Sequence, residues 1–433
     1  MESILLAGDY PNLSELKIFN FNVKIALRYF TVESPFRLIL QRQITDLILV
    51  FENNFNELSC THYMTYVYGY ILKFFENLNH LSITESYPRF FPPLALCDLP
   101  LNTCYSATLY KLCIHVMYYH DLLALLDGRL KQLNTLNVVI VKREYNPTTV
   151  YNVNLSDLKC FSLQYDCSYD AYDGEILPLL RRMSNIEVLN LNLIIGRPAR
   201  FIDGKNIYDE ILIHIPRLHT FNFCFLIFAR LDHSAHHLYK DDILQTFTNI
   251  IDQQVECMIK YRRHGDLKYH LFSLPFMFDD LHSIDNGFPN IIFNHVIRLV
   301  VDDSIAFEHE FFMRIASCFP LLKVLTVSNS TPQSPILNSN DNQLYSTPIE
   351  YPYLTSLCFS WGHRDYIDQF LNDKKTYLPR LTVLSVNYYH LRSVTRNFTN
   401  DRTRLNCMKV KELDICPKKI AYSKDFYTYF PLL

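Results

Sequence analysis

Residues 186–191 of the 433-residue chain read IEVLNL, and residues 133–138 read LNTLNV. In each stretch an apolar residue is followed three and five positions later by two more. The last two lie two positions apart, so both face the same side of a strand. This spacing occurs thirteen times: Leu13/Leu16/Ile18, Ile44/Leu47/Leu49, Leu78/Leu81/Ile83, Leu109/Leu112/Ile114, Leu133/Leu136/Val138, Leu158/Phe161/Leu163, Ile186/Leu189/Leu191, Leu218/Phe221/Phe223, Val296/Leu299/Val301, Leu322/Leu325/Val327, Leu354/Leu357/Phe359, Leu381/Leu384/Val386 and Val410/Leu413/Ile415. Apart from one longer gap, consecutive patterns begin 24 to 34 residues apart, which indicates a structural repeat.

Segments with apolar residues at helical spacing lie between several of these strands. They are 62–75, 121–130, 175–183, 207–213, 241–261 and 307–316. The form L-x-x-L-x-L is that of leucine-rich repeats, whose units bury their apolar side chains only by stacking on neighbours. The sequence therefore predicts an α/β leucine-rich-repeat-like solenoid. We expect a curved horseshoe with a parallel sheet on its concave face and helices and loops on its convex face.

The pattern runs along residues 1–433 and predicts a single irregular solenoid. Residues 329–352 contain four prolines and many serines and asparagines, so we expect a mobile loop there. The longer gap between patterns falls around 224–270, where we expect a long helical insertion that ends in a strand near 270–274.

Composition excludes several classes of function. The chain has 9 glycines, and the closest pair, Gly196 and Gly204, is too far apart for a dinucleotide loop, a phosphate loop or a nucleophile elbow. A formal net charge of −3 gives no reason to expect nucleic-acid binding. No apolar run is long enough to span a membrane, and the first residues do not resemble a signal peptide. Together with 12 cysteines, this predicts a reducing compartment, cytoplasmic or nuclear.

No catalytic, cofactor or metal site is expected. His233, His236 and His237 have the spacing of metal ligands, but a polar surface loop explains them better. The helix segment that begins at His309 starts like a zinc-protease motif and then has Met313 where the second histidine is required. Several cysteines recur at one repeat position, which favours packing along a strand ladder over a nucleophile.

Residues that alternate with the buried pairs are expected on the concave face. The candidate partner-binding residues are Lys17, His80, Lys111, His115, Asn137, Gln164, Asn190, Asn192, Asn222, Arg298, Asp302 and Asn387. These side chains form a mixed, mildly polar ladder. It is consistent either with a groove that binds a protein or with a solvated sheet face, because solenoids commonly bind partners on their concave side.

Several short stretches carry a resemblance along most of the chain. They are LLDGRLKQL at 125–133, LLRRM at 179–183, FSLPF at 272–276, FEHEFF at 307–312, FPLLK at 319–323 and YTYFPLL at 427–433. Together they resemble an expanded invertebrate family of F-box proteins with irregular leucine-rich repeats. The resemblance implies a substrate receptor of a cullin–RING ubiquitin ligase, in which an N-terminal F-box binds the ligase adaptor and the repeats hold a protein substrate.

The repeats begin by Leu13, and no F-box is recognisable before them, so an adaptor is expected only if an F-box lies upstream. Three functions stay open at this point. The first is a non-catalytic protein-binding repeat domain, the receptor part of such a ligase. The second is a free-standing scaffold or decoy that binds partners without a ligase. The third is an enzyme with a dispersed cysteine or histidine site.

Overall fold

The computed structural model describes residues 10–21, 25, 28–31, 33–34, 37–51, 60–85, 94–96, 105–142, 157–167, 170–230, 239–248, 250, 252–261, 266–334, 347–359, 361–417 and 424–433. The chain divides into two compact units, Met1–Ser273 and Leu274–Leu433. Each unit has one large sheet with helices between most of its strands, so the fold is mixed α/β. Neither sheet closes into a barrel within these described ranges.

Ten strands lie in the described part of the first unit. They are β1 (Glu15–Ile18), β2 (Asp46–Phe51), β3 (His80–Glu85), β4 (Lys111–Val116), β5 (Thr135–Ile140), β6 (Cys160–Cys167), β7 (Val188–Gly196), β8 (Thr220–Arg230), β9 (Gln254–Tyr261) and β10 (Asp266–Leu274). Strands β1 to β8 follow one another in space as they do in sequence, and all of them pair in parallel. This order confirms the predicted alternation of parallel strands with crossover connections.

The apolar repeat explains why these strands form and where the core lies. In β4, β5 and β6 every second residue is buried, and each strand carries its two apolar repeat residues on the buried side. The registers align these residues across the sheet: Leu136 pairs with Phe161, and Phe161 pairs with Leu189. A slip of one residue would turn every apolar side chain to the other face, so the burial of the core fixes the register.

The segment 224–270 was expected to contain a long helix, and that prediction is wrong. Strand β8 continues to Arg230, a short helix occupies Lys240–Gln245, and β9 and β10 follow. Strand β10 returns antiparallel to β8, which confirms a strand near 270–274, and β9 is the next strand beyond it. In β9 the apolar Val255, Cys257 and Ile259 alternate with other residues, which is the period of a strand.

Helices of the first unit connect the strands. They are α1 (Arg37–Arg42), α2 (Cys60–Phe74), α3 (Tyr119–Leu125), α4 (Leu177–Leu180), α5 (Gly204–Glu210) and α6 (Lys240–Gln245); a π-helical turn at Tyr172–Ile176 precedes α4 and a 3₁₀ turn at Leu212–His214 follows α5. They bury apolar residues such as Tyr68, Leu122 and Ile207 against the repeat residues of the strands. This contact covers one face of the sheet and leaves the alternating residues on the other.

The second unit repeats the arrangement on a smaller scale. Its main sheet has the order β11 (Asp280–Ile284), β12 (Arg298–Asp302), β13 (Val324–Ser328), β15 (Ser356–Cys358), β17 (Val383–Asn387) and β18 (Glu412–Cys416). Each pair in it is parallel, and Leu299, Leu325, Leu357 and Leu384 align across it as buried neighbours. Two short strands, β14 (Ile349–Glu350) and β16 (Thr376–Tyr377), form a separate parallel pair.

Five described helices belong to the second unit: α7 (His309–Cys318), α8 (Arg364–Leu371), α9 (Tyr388–Val394), α10 (Asp401–Cys407) and α11 (Lys424–Tyr429). The core beneath them is rich in aromatic side chains, including Phe307, Phe312 and Phe370. A buried amide joins the connections: Nδ2 of Asn406 donates to the carbonyls of Phe370, Leu371 and Thr376, and its Oδ1 accepts from the N–H of Leu378.

Two further predictions concern loops and membranes. Half of the expected mobile loop at 329–352, residues 335–346, lies outside the described residues, and the rest includes β14. The sequence predicted one continuous solenoid over residues 1–433. The chain divides into two compact units, and the continuous solenoid stays a prediction. Among the helices that the structure describes, not one has both the length and the apolar character needed to cross a bilayer.

Candidate functional site

Nine of the twelve candidate residues lie on β1 to β8, at positions that alternate with the buried repeat residues. We call this set of alternating residues on β1 to β8 the ladder face. Exposure varies along it: Lys17 is exposed, whereas Asn192 and Asn222 keep only 8% and 9% of their accessible surface. The sequence thus places these nine residues on the correct side of their strands.

The strand registers arrange the ladder face in three rows that run across the sheet. The first row is Glu15, Asp46, His80, Lys111, Thr135, Cys160, Val188 and Thr220. The second row is Lys17, Ile48, Ser82, Cys113, Asn137, Ser162, Asn190 and Asn222. The third row includes His115, Val139, Gln164, Asn192 and Cys224. Neighbours within a row lie one strand spacing apart, about 4.8 Å.

The rows divide the ladder face into two halves of different chemistry. On β1 to β4 the rows contain two carboxylates, two lysines and two histidines. On β5 to β8 the same rows contain only amides, hydroxyls, thiols and valines. A partner that covers the whole face would therefore meet charges on one half and neutral hydrogen-bonding groups on the other.

His80 is the centre of the charged half. Its Nδ1 lies 3.3 Å from Oδ1 of Asp46, whose other carboxylate oxygen accepts a 2.8 Å hydrogen bond from the Thr45 hydroxyl. Burial and the nearby charge of Lys111 lower the pKa of His80 from its ordinary value of 6.5, against the opposing influence of Asp46 and Glu15. The ring is therefore mainly neutral at pH 7 and can both donate and accept a hydrogen bond.

A chain of amides orders the neutral half. Nε2 of Gln253 donates to Oδ1 of Asn222 over 3.2 Å, and Nδ2 of Asn222 donates to Oδ1 of Asn190 over 2.8 Å. Each amide is fixed by its neighbour, so the side chains present their remaining donors and acceptors in set directions. Two strands further on, Nδ2 of Asn137 donates to the sulfur of Cys113 over 3.4 Å.

The buried thiols do not have the character of nucleophiles. Burial raises the pKa of Cys113, with Lys111 and the hydrogen bonds from Asn137 and Ser82 acting in the opposite direction. Burial also raises the pKa of Cys257 to about 12. The thiolate is the reactive form of cysteine, and these two groups stay protonated near pH 7.

A pocket of about 710 Å³ adjoins the end of the amide chain. Gln253 lines it together with Thr220 and Phe221 of β8, Tyr208 of α5 and Asp252. Neither Gln253 nor Asp252 was predicted as a binding residue, because both lie in the segment predicted as helix. Asp46 was also missed: it precedes the repeat residue Leu47 directly, and the alternation rule applied to that strand would have found it.

The other three candidates lie on the sheet of the second unit. Arg298 of β12 forms ion pairs with Asp279 at 3.1 Å and Asp280 at 3.6 Å. Oδ2 of Asp302 accepts a hydrogen bond from Ser283. Asn387 caps helix α9, because its Oδ1 accepts from the N–H of Tyr389 and of His390. The twelve residues thus belong to two sheets, and Asn387 has a structural role at a helix start.

No metal site was expected from the sequence, and the structure bears on this expectation only for the residues that it describes. Across the ranges described above, no group of three or more His, Cys, Asp or Glu side chains is arranged to hold a metal ion. His233, His236 and His237 lie outside those ranges. Neither a protein-family model nor a curated protein sequence matches this chain.

Proposed function

We propose that the chain is a non-catalytic protein-binding domain and that the ladder face holds its partner. The observation that carries the proposal is the arrangement of the face into in-register rows across eight parallel strands, with a charged half and a neutral half. Such an array of set hydrogen-bonding groups suits recognition of a large surface better than chemistry at one point.

The two halves contribute differently to recognition. Charged groups around His80 and Lys111 guide the approach of a partner and depend on salt. The amides of Asn190 and Asn222, which are held by their neighbours, bind without a large loss of side-chain entropy. The neutral half therefore supplies most of the affinity, and the charged half sets orientation.

At the level of fold, we propose that the strand–helix repeats form a leucine-rich-repeat-like solenoid with the ladder face on its concave side. The repeat spacing and the parallel order of the strands support this. The resemblance to F-box proteins with leucine-rich repeats extends the proposal to a substrate receptor of a cullin–RING ubiquitin ligase, located in the cytoplasm or the nucleus. The alternative is a free-standing scaffold or decoy that binds the same kind of partner.

The binding role is tested by quantitative affinity purification of tagged full-length chain from its own cells. Asn190→Arg together with Gln164→Arg adds two long charged side chains to the neutral half. A matched control adds the same charges at exposed turns, Gln132→Arg with Ser184→Arg. We expect the ladder variant, and not the control, to lose the proteins enriched by the wild type. Equal enrichment by all three chains would contradict the proposed site.

The ligase role is tested separately by probing the same purified samples for the F-box adaptor and a cullin. A receptor that is expressed with its upstream F-box carries both, including in the ladder variant, because the adaptor binds the F-box and not the ladder face. A scaffold or decoy enriches the ladder-dependent partners and carries neither. This comparison separates the two functions without assuming the identity of the partner.

A further inference from the structure

The loops that follow the strands of the second unit expose two large apolar side chains. Ile305, after β12, has 65% of its surface exposed, and Trp361, after β15, has 79% exposed. We call these loops, residues 285–287, 302–308, 329–334 and 361–365, the rim. Tryptophan is enriched among the residues that dominate binding energy at protein interfaces, so its exposure here has to be explained.

Hydrogen bonds within the rim hold the backbone of the loops that carry these side chains. The buried Asn329 is the centre: its Nδ2 donates to the carbonyl of Ile305 over 2.6 Å, and its own carbonyl accepts from the N–H of His363 over 2.7 Å. Asn286 adds a further connection, because its Nδ2 donates to Oδ2 of Asp303 over 3.0 Å. The loops that carry Ile305 and Trp361 are therefore joined through one residue, Asn329, by its side-chain amide on one side and its main-chain carbonyl on the other.

Gly362 lets the loop that carries Trp361 pack closely against β13. A Cβ atom at Gly362 would lie 3.2 Å from the carbonyl oxygen of Val327 and 3.6 Å from Cβ of Phe359. The absence of a side chain lets this loop lie directly against the end of β13. The tryptophan next to it is thus exposed on a supported backbone, and its binding would cost little ordering entropy.

The charge of the rim selects the chemistry of a partner. The rim contains five carboxylates: Asp303 is buried, and the other four are partly exposed, namely Asp285, Asp302, Glu308 and Asp365. Two guanidinium groups oppose this negative charge. Arg364 lies within the rim, and Arg314 donates to the carbonyls of Asn286 and Phe288. The surface around the two apolar side chains is therefore acidic.

We propose that the rim is a second docking surface, which binds a basic protein segment that carries apolar residues. Ile305 and Trp361 contact the apolar residues of that segment, and the carboxylates around them attract its arginine or lysine side chains. This surface lies within the second unit alone and does not depend on the ladder face of the first unit.

The test uses Trp361, which is the single tryptophan of the chain and so reports on the rim without background. The probe is a synthetic peptide of repeating Arg-Gly-Leu units, and the matched probe has glutamate in place of arginine. With the full chain, the arginine peptide is expected to shift the tryptophan emission to shorter wavelength and to protect it from acrylamide quenching. Added salt weakens this effect, and the glutamate peptide produces none.

Labelled-peptide anisotropy then measures the affinity of every variant, including Trp361→Ala, which lacks the fluorophore. Trp361→Ala and Ile305→Ser are each expected to weaken binding by about 30-fold, the loss of a strongly contributing interface residue. Leu321→Ala, an exposed apolar residue at the opposite end of β13, leaves binding unchanged. Urea unfolding midpoints confirm that all three variants fold.

Three results would overturn the proposal. One is equal binding of the glutamate peptide. Another is full affinity of both rim variants, which would place the peptide elsewhere on the chain. The last is a tryptophan emission that shifts with protein concentration alone and a dimer in sedimentation that Trp361→Ala abolishes, because the rim would then be the contact between two copies of this chain.

Discussion

Two neighbouring residues of β7 should respond very differently to truncation. Leu191 is fully buried between Leu163 of β6 and Phe223 of β8, so Leu191→Ala leaves a cavity and should cost about 2–5 kcal/mol of unfolding free energy. Asn190, one residue earlier, lies on the ladder face and accepts one hydrogen bond from Asn222. Water can replace that bond, so Asn190→Ala should cost at most about 1 kcal/mol.

Urea unfolding of the full chain measures both values. Far-UV circular dichroism follows both units, whereas the emission of Trp361 follows the second unit alone. The Leu191→Ala loss should appear in the dichroism signal that reports the first unit. The slope of free energy with urea should stay the same, since neither variant changes the surface exposed on unfolding by much.

A loss of unfolding free energy for Asn190→Ala as large as that for Leu191→Ala would contradict the placement of Asn190 on an open face. It would mean that the ladder face is packed against other parts of the molecule and cannot receive a partner. A small loss for both variants would instead contradict the assignment of the core side of β7.

Three further predictions follow from single contacts. A Cβ atom at Gly204 would clash with the backbone oxygen of Thr246, so Gly204→Ala should lower the unfolding free energy by roughly 1–3 kcal/mol in a urea titration. Asn406→Leu removes four buried hydrogen bonds to the backbone, so the urea midpoint reported by Trp361 emission should fall by an amount equivalent to at least about 2 kcal/mol; an unchanged midpoint would contradict the buried network. The pKa of His80 is lowered below 6.5 in the folded state. As the pH drops through 6.5, the imidazole is therefore protonated more readily in the unfolded chain, and the free energy of unfolding falls. His80→Asn should lose less of this free energy than the wild type between pH about 8 and about 5.5.

Much of the fold could be predicted from the sequence because one physical signal repeats. Each of the thirteen patterns falls on a strand or directly against its end, since three apolar side chains at fixed spacing can be buried only one way. The same rule placed Asn190 and Gln164 on the correct side of their strands. Alternation is a local property, and it needs no knowledge of distant contacts.

The features that were not predicted depend on contacts between distant parts of the chain. Residues 241–261 contain enough apolar residues to suit a helix, yet β9 and β10 form because β8 extends past the repeat and offers a pairing edge to β10. Gln253, which directly precedes β9 in that same segment, donates a hydrogen bond to Asn222 of the ladder face. A long-range pairing of this kind depends on contacts that no local spacing records.

Site-specific photocrosslinking of the full chain in its own cells shows directly whether a partner contacts the ladder face. A photoreactive amino acid replaces Asn190 on the ladder face in one experiment, and replaces exposed Lys205 on α5 in the control. We expect the same protein to be captured repeatedly from position 190 and not from position 205, and we expect the Gln164→Arg variant to prevent its capture. Capture from position 205 alone, or no difference between the two positions, would contradict this expectation.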